Sequence, residues 1–488
     1  MRICFLFTAL AALGACGPSG NDGPIEVAII GEPESLLERG VRLSPVAQHI
    51  RAATVEGLVA LDPSGQIIPA IAERWIVADD GLSYIFRLRN SDWPDGEPIA
   101  ANDIRLLLRE SIARLEGTSL GLDLAKITDV RAMTGRVIEV RLSSPMPEFL
   151  RLMAQPELGF VKNGSGSGPM VISQDDEQML ARLSALPPES RGLPARENWK
   201  EMARTLTVRA MPIAASVEAF SNGDVDLLLN GRLSGFPMAE QGPLSRGTVQ
   251  VDPTLGVFGL VFRNDDGLLS DPGRREALSM AIDRGSLIEP FGLGGWQPTS
   301  WIVPPDQFPS GQIAADRWGG ASIEERRNVA ARRIAQWQPP EGESREVRVA
   351  LPEGPGSDLL FEELRQNWAA IGVTAVRVAA DEGADLELRD RLARYSSPRW
   401  YLNQFNCELE IGLCSPEADE LVTQSLTIGD PLAKQQAFLE AHAALISEEV
   451  FIPFGAPVRW SLVRGAIGAY VPNQWGLHPL FPLSQPTI

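Results

Sequence analysis

Few side chains here have the types and spacing that catalysis requires. There are three histidines, His49, His442 and His478, and no His-Glu-x-x-His run, Gly-x-Ser-x-Gly elbow or kinase loop. Paired carboxylates such as Asp79-Asp80 and Asp265-Asp266 sit in turn sequences, where solvated turns are a simpler account than acid–base pairs. Gly164-Ser165-Gly166-Ser167-Gly168 has the composition of a phosphate cradle. No Lys-Ser/Thr follows it, Pro169 interrupts it, and the next run is strand-like. The side chains best suited to chemistry are binding groups. Arg391, Arg394 and Arg399 cluster within 386–407, beside Tyr395, Trp400, Tyr401 and Asn403. A guanidinium grips a carboxylate with two parallel hydrogen bonds. Solvation, or pairing with Asp385, Glu387 and Asp390, is the competing account of these arginines. Trp400 and Tyr401 either face a ligand or pack. Trp296 and Trp301 stand in a Gly/Pro loop rather than on a helix face, which favours binding over core packing.

The chain that positions these groups has 488 residues, 44% of them apolar, enough for two large lobes or three smaller domains. Lys and Arg number 44 against 63 Asp and Glu, a formal net charge of -19. The acidic residues are dispersed, which disfavours nucleic acid and argues only for solubility. No basic arm or zinc-finger spacing occurs.

Arg2, the apolar Ile3 to Leu13, and then Leu13-Gly14-Ala15-Cys16 look like a bacterial lipoprotein signal over 1–15, with Cys16 lipidated. An ordinary cleaved signal near Ala15 is the alternative. Residues 16–24 read as a tether. No later apolar run approaches a transmembrane length. Cys407 and Cys414 remain as an even pair in an oxidising compartment, where a disulfide is expected. A metal pair is the rival, without further Cys or His nearby. No cofactor or metal is expected.

The most patterned stretch runs from Val55 to Leu115. It predicts a strand, a turn at Asp62-Pro63-Ser64-Gly65, an apolar segment carrying Trp75, a turn at Asp79-Asp80-Gly81 and an alternating strand from Ser83 to Leu88. Asn102 is expected to cap a helix bearing Ile104, Leu107, Leu108, Ile112 and Leu115. Residues 174–203 show no clear pattern. Strand–helix–strand rhythm at Val347–Leu351, Leu359–Ile371 and Val373–Val378 implies a βαβ lobe.

This order of pieces resembles the extracytoplasmic solute-binding proteins of peptide and nickel ABC importers, solute-binding protein family 5. The match is carried by Glu56-Gly57-Leu58, Pro69 to Glu73, Trp75, Asp79 to Gly81, Tyr84, Phe86, Leu88-Arg89, Asp95-Gly96, Pro98 and Asp103. A second signature is Arg275, Ala277, Leu278, Ala281, Ile282, Asp283 and Arg284. The resemblance implies a bilobal α/β periplasmic-binding-protein fold of class II with an extra subdomain. Residues 25–255 and 463–488 are expected in lobe I (subdomain about 50–165) and 256–462 in lobe II.

It further implies a monomeric, non-enzymatic, lipid-anchored envelope protein. Such a protein captures peptides or a related small solute between its lobes and presents it to an inner-membrane ABC permease. An envelope sensor or chaperone on the same fold is the alternative, with an envelope hydrolase further off. Glu34 and Ser35 lie in a turn resembling the family's Glu-Pro-x-x-Leu turn toward the ligand cleft. Peptide-binding members carry an aspartate before the first cysteine that accepts the ligand's amino terminus. Here Ala393-Arg394-Tyr395-Ser396-Ser397-Pro398 has none. The expected ligand contacts are therefore Glu34, Ser35, Trp296, Trp301, Arg391, Arg394, Tyr395, Trp400 and Asn403, with an arginine meeting an anionic group.

Overall fold

A computed structural model describes residues 23–175, 179–239, 248–309, 312–314, 316–465 and 467–485. Cys16 lies outside them. The first lobe is built on the apolar strand Ile25–Ile30. It pairs in parallel with Leu206–Met211 on one side and Leu227–Arg232 on the other. A strand with parallel partners on both edges is covered on both faces, so its apolar residues run nearly continuously. Ile25, Val27, Ala28 and Ile29 are all buried. The hairpin Met170–Asp175 and Leu180–Ala185 extends one edge of this seven-stranded sheet. Arg459–Val463 and Val249–Val251 extend the other. Helix Pro45–Thr54 starts where Ser44 Oγ accepts from the Ala47 amide, and it packs Val46, Ile50 and Ala53 into the same core as this sheet.

The second lobe is a five-stranded sheet in the order Thr374–Val378, Glu346–Ala350, Leu386–Leu392, Gly256–Phe262, Phe451–Gly455. Every residue of Gly256–Phe262 is buried. Helices Pro272–Ala281, Ile323–Gln336 and Pro355–Ala369 bring Leu278, Ile334, Leu364 and Trp368 into its core. The middle helix opens with a capping box between Ser322 and Glu325.

A third, four-stranded antiparallel sheet orders Ala72–Val77, Ser83–Leu88, Val137–Leu142 and Ile127–Ala132. Tyr84, Phe86 and Leu88 alternate inward beneath helix Ala101–Arg114, which contributes Ile104 and Leu108. Asn102 does not cap this helix. The cap position is Ala100, which makes no side-chain cap bond, and Asn102 Oδ1 instead accepts from Arg105. The unpatterned stretch 174–203 contains the strand Leu180–Ala185, which lies between Met170–Asp175 and Leu206–Met211.

The chain passes between the two large sheets twice, between Val251 and Gly256 and between Gly455 and Arg459. The strand Arg459–Val463 brings the chain back to the first sheet, a few residues before the expected 463. The molecule is thus a bilobal α/β protein whose first lobe carries an additional small sheet. Cys407 and Cys414 form a disulfide beside the helix Pro416–Gln424.

Candidate functional site

A cleft of about 520 Å³ opens between the lobes. The first lobe supplies Leu43 to Pro45, Ser119, Glu157, Asn230 and Arg232. The second supplies the strand Leu386–Leu392 from Arg389 onward, with Arg394, Trp400 and Gln404. Strand alternation sets Arg389 and Arg391 on one face and Asp390 on the other. Asp390 is held by Arg459 at 2.7 Å and lies 3.8 Å from Arg232, so the pivot between lobes is a compensated charge cluster.

Arg389 and Arg391 are different. Among the described residues, neither makes an ion pair. Arg389 reaches only Gln404 Oε1 at 3.5 Å, and its Nε is buried without a partner. Burial, and then the neighbouring Arg391, pushes the Arg389 guanidinium down to about 9. Arg391 is open to the cleft's solvent yet walled by neighbours, and burial followed by Arg394 lowers its pKa. A desolvated cation without a counter-charge is the feature an entering anion relieves.

Arg394 also lines the cleft, but it pairs with Glu157 at 3.3 Å and meets Ser119 Oγ at 3.3 Å. This joins the two lobes across the cleft. Glu157 Oε1 additionally accepts from Gln48, while Oε2 is buried and unpartnered among the described residues.

Tyr395 and Asn403 lie behind this wall. Both donate to buried Asp123 Oδ1, each at 2.8 Å. Trp400 is fully buried, lines the cleft, and stacks edge-on against Tyr401. Trp296 and Trp301 lie away from the cleft walls. The Trp296 indole donates to Ala456 O at 2.8 Å and its ring covers Gly455, where an added Cβ would come within 2.3 Å. Trp301 donates to Ala314 O and packs edge-on against His442. Glu34 is exposed on the short 3₁₀ turn Pro33–Leu37. Ser35 Oγ donates to Glu32 O beside a smaller side pocket shared with Asn230 and Arg232. Sequence reasoning missed Arg389, Glu157 and Asp123. Arg389 carried a signal, being two residues from Arg391 in an alternating strand. The other two carried none.

The family model described as "Bacterial extracellular solute-binding proteins, family 5 Middle" matches residues 66–405. The chain belongs to that family. Among family 5 relatives, the Periplasmic oligopeptide-binding protein OppA of Salmonella typhimurium is 22% identical, covering 95% of this chain and 94% of that protein. The Probable deoxycholate-binding periplasmic protein YgiS of Escherichia coli is 28% identical over 56% of each chain. Among solved structures, the Escherichia coli murein tripeptide binding protein MppA superposes with a TM-score of 0.76 at 19% identity, covering 95% of this chain and 98% of its own. Haemophilus influenzae OppA in complex with RPPGFSPFR gives 0.76 at 17%, covering 96% and 99%. The bilobal periplasmic-binding-protein fold of family 5 is therefore shared along nearly the whole chain. As a family 5 protein, the chain is a solute-binding component of an ABC importer system, located in the periplasm or envelope, and not an enzyme.

Proposed function

We propose that the interlobe cleft captures a small solute through an anionic end, with Arg389 and Arg391 as its receptors. The carrying observation is two adjacent guanidiniums without ion-pair partners among the described residues, Arg389 largely desolvated and Arg391 open to the cleft, lining a space of about 520 Å³. That volume falls within the range for small-molecule sites, roughly 300–1,000 Å³. The unpartnered Glu157 Oε2 on the opposite wall accepts a donor from the same solute. A short peptide bound by its carboxylate end, with its ammonium toward Glu157, satisfies both. Binding across both walls shifts the population toward the closed form that a permease recognises. Arg394 acts with Glu157 in drawing the lobes together. Tyr395, Trp400 and Asn403 hold the wall behind.

The test is native mass spectrometry of what co-purifies, followed by calorimetric titration of that solute into R389Q/R391Q. A ligand with an anionic group, bound at least about tenfold more weakly by the double variant, supports the reading. A ligand without an anionic group, or unchanged affinity, overturns it.

We further propose that residues 1–15 are a signal and that Cys16 carries lipid, so that the chain works as an anchored monomer. Supporting this is the Leu13-Gly14-Ala15-Cys16 sequence. Metabolic labelling with an alkyne fatty acid should mark the wild type and not C16S. Equal labelling of both would sink the assignment.

A further inference from the structure

A second cavity, of about 1010 Å³, is larger than the interlobe cleft and lies wholly inside the first lobe. It separates the helix Pro45–Thr54 and the segment 36–41 from the small sheet's helix Ala101–Arg114 and the glycine-rich stretch at 164–167. Its walls share only Glu38 and Val41 with the cleft.

The lining is amphipathic. Leu37, Ile50, Leu107 and Val161 form its apolar part. Five arginines reach it. Arg89 and Arg191 are occupied by the buried carboxylate of Glu56. Arg114 faces Glu110 at 3.7 Å at the exposed rim. Arg39 makes no ion pair among the described residues. Arg51 reaches only the Gly159 carbonyl at 3.4 Å, and its Nε is buried and unpartnered. Of the lining carboxylates besides Glu110, Glu38 accepts from the Ser44 amide and Asp92 is exposed.

Two more donors are stranded in the same walls. Trp93 Nε1 and Ser167 Oγ are buried without partners among the described residues, on side chains 2% and 7% exposed. Buried donors in native proteins are almost always satisfied, so unsatisfied ones on residues that line a large void point to a missing acceptor.

We propose that this cavity is a second binding site for an amphipathic carboxylate, its head group between Arg51 and Arg39 and its apolar body along Ile50, Leu107 and Val161. The site stands on the first lobe alone and does not depend on what the interlobe cleft binds. It suits a ligand that is apolar over most of its length and singly anionic at one end. Such a ligand matches the mixed walls better than a highly charged one, because Glu38 and Asp92 limit the net positive charge.

The test uses decanoate as the probe, titrated calorimetrically into the mature protein. The wild type and R389Q/R391Q are expected to bind it equally and saturably. R51Q should lose about tenfold or more, as expected for removing a charge-assisted pair. In ¹⁵N-labelled protein, the indole resonance absent from W93F should shift as decanoate is added. This readout holds even if R51Q fails to fold. An absence of saturable binding, or an unmoved Trp93 resonance, overturns the proposal. Binding lost in R389Q/R391Q and kept in R51Q also overturns it, by placing the probe in the interlobe cleft.

Discussion

Tyr395 donates its phenolic hydrogen to the fully buried Asp123 at 2.8 Å, across 272 residues of sequence. Asn403 donates to the same oxygen, and Arg399 binds the main-chain carbonyls of Leu122 and Asp123. A short helix of the first lobe, Ser119–Leu124, is thereby fastened to the segment behind the cleft wall. Burial raises the Asp123 pKa, and Arg399 acts in the opposite direction. Removing the acceptor altogether strands two buried donors, each costing about 1–3 kcal/mol. D123A should therefore lose about 2–6 kcal/mol in urea unfolding, and D123N, which keeps an acceptor oxygen, clearly less. Equal losses for the two variants would refute this account.

The Arg394–Glu157 pair spans the cleft itself. R394A should lower solute affinity by making closure less favourable, with the radius of gyration of the liganded protein larger than wild type by small-angle scattering. A wild-type profile for R394A would show that the pair does not contribute to closure.

Lys126 is buried and donates to Ser144 Oγ at 2.7 Å, where Lys434 also donates at 3.3 Å. Burial, then Lys434 and Arg399, pushes its pKa down to about 7, with Glu148 opposing. Between about pH 7 and the ordinary value of 10.5 the unfolded chain binds more protons at this site than the folded one. Stability from this group therefore rises with pH across that window, and below it the folded state bears the whole penalty. The stabilisation of K126M over wild type should be greatest near about pH 6 and shrink toward about pH 10. A difference that does not vary with pH would contradict it.

The Cys407–Cys414 bridge has a sequence separation of 7. The loop-entropy relation assigns so short a ring about 2–3 kcal/mol. C407S/C414S should show that loss in denaturant unfolding under non-reducing conditions, while reductant should leave the variant unmoved.

Gly455 and Trp296 make a stability prediction. G455A would push a methyl group into the Trp296 ring and the Gln297 carbonyl. It should cost about 1–3 kcal/mol, the usual scale for overpacking. W296F, which removes the bond to Ala456 and the indole edge over Gly455, should leave solute affinity at the wild-type value, because Trp296 lies away from the cleft walls.

What could be read from the chain depended on range. The small sheet is legible because its signals are local: alternation at Tyr84, Phe86 and Leu88, and turn chemistry at Asp79-Asp80-Gly81. The helix at 101–114 is legible from its apolar face, although its cap is not, because Ala100 offers no side-chain acceptor. Leu180–Ala185 was hidden because Arg182 and Ser184 interrupt its short apolar run, and its neighbours on both sides are supplied by other segments. At the cleft, Arg391 and Arg394 were visible as a cluster of like charge. Nothing near Arg394 in sequence announces that Glu157 neutralises it while Arg391 is left alone. Tyr395 and Asn403 have the composition of ligand contacts. Their partner Asp123 lies in another lobe, and spacing carries no information about such contacts.

The two passages between the large sheets lie side by side. Val251 pairs with Trp460 just before them, and Phe258 pairs with Gly455 just after. Everything between is a continuous cassette whose ends are neighbours. An uninterrupted block with adjacent ends can be exchanged between relatives without rethreading the chain. A fluorescent reporter spliced at one joint would feel any rotation of the cassette directly. This topology makes the protein a natural frame for a genetically encoded sensor of whatever solute it binds.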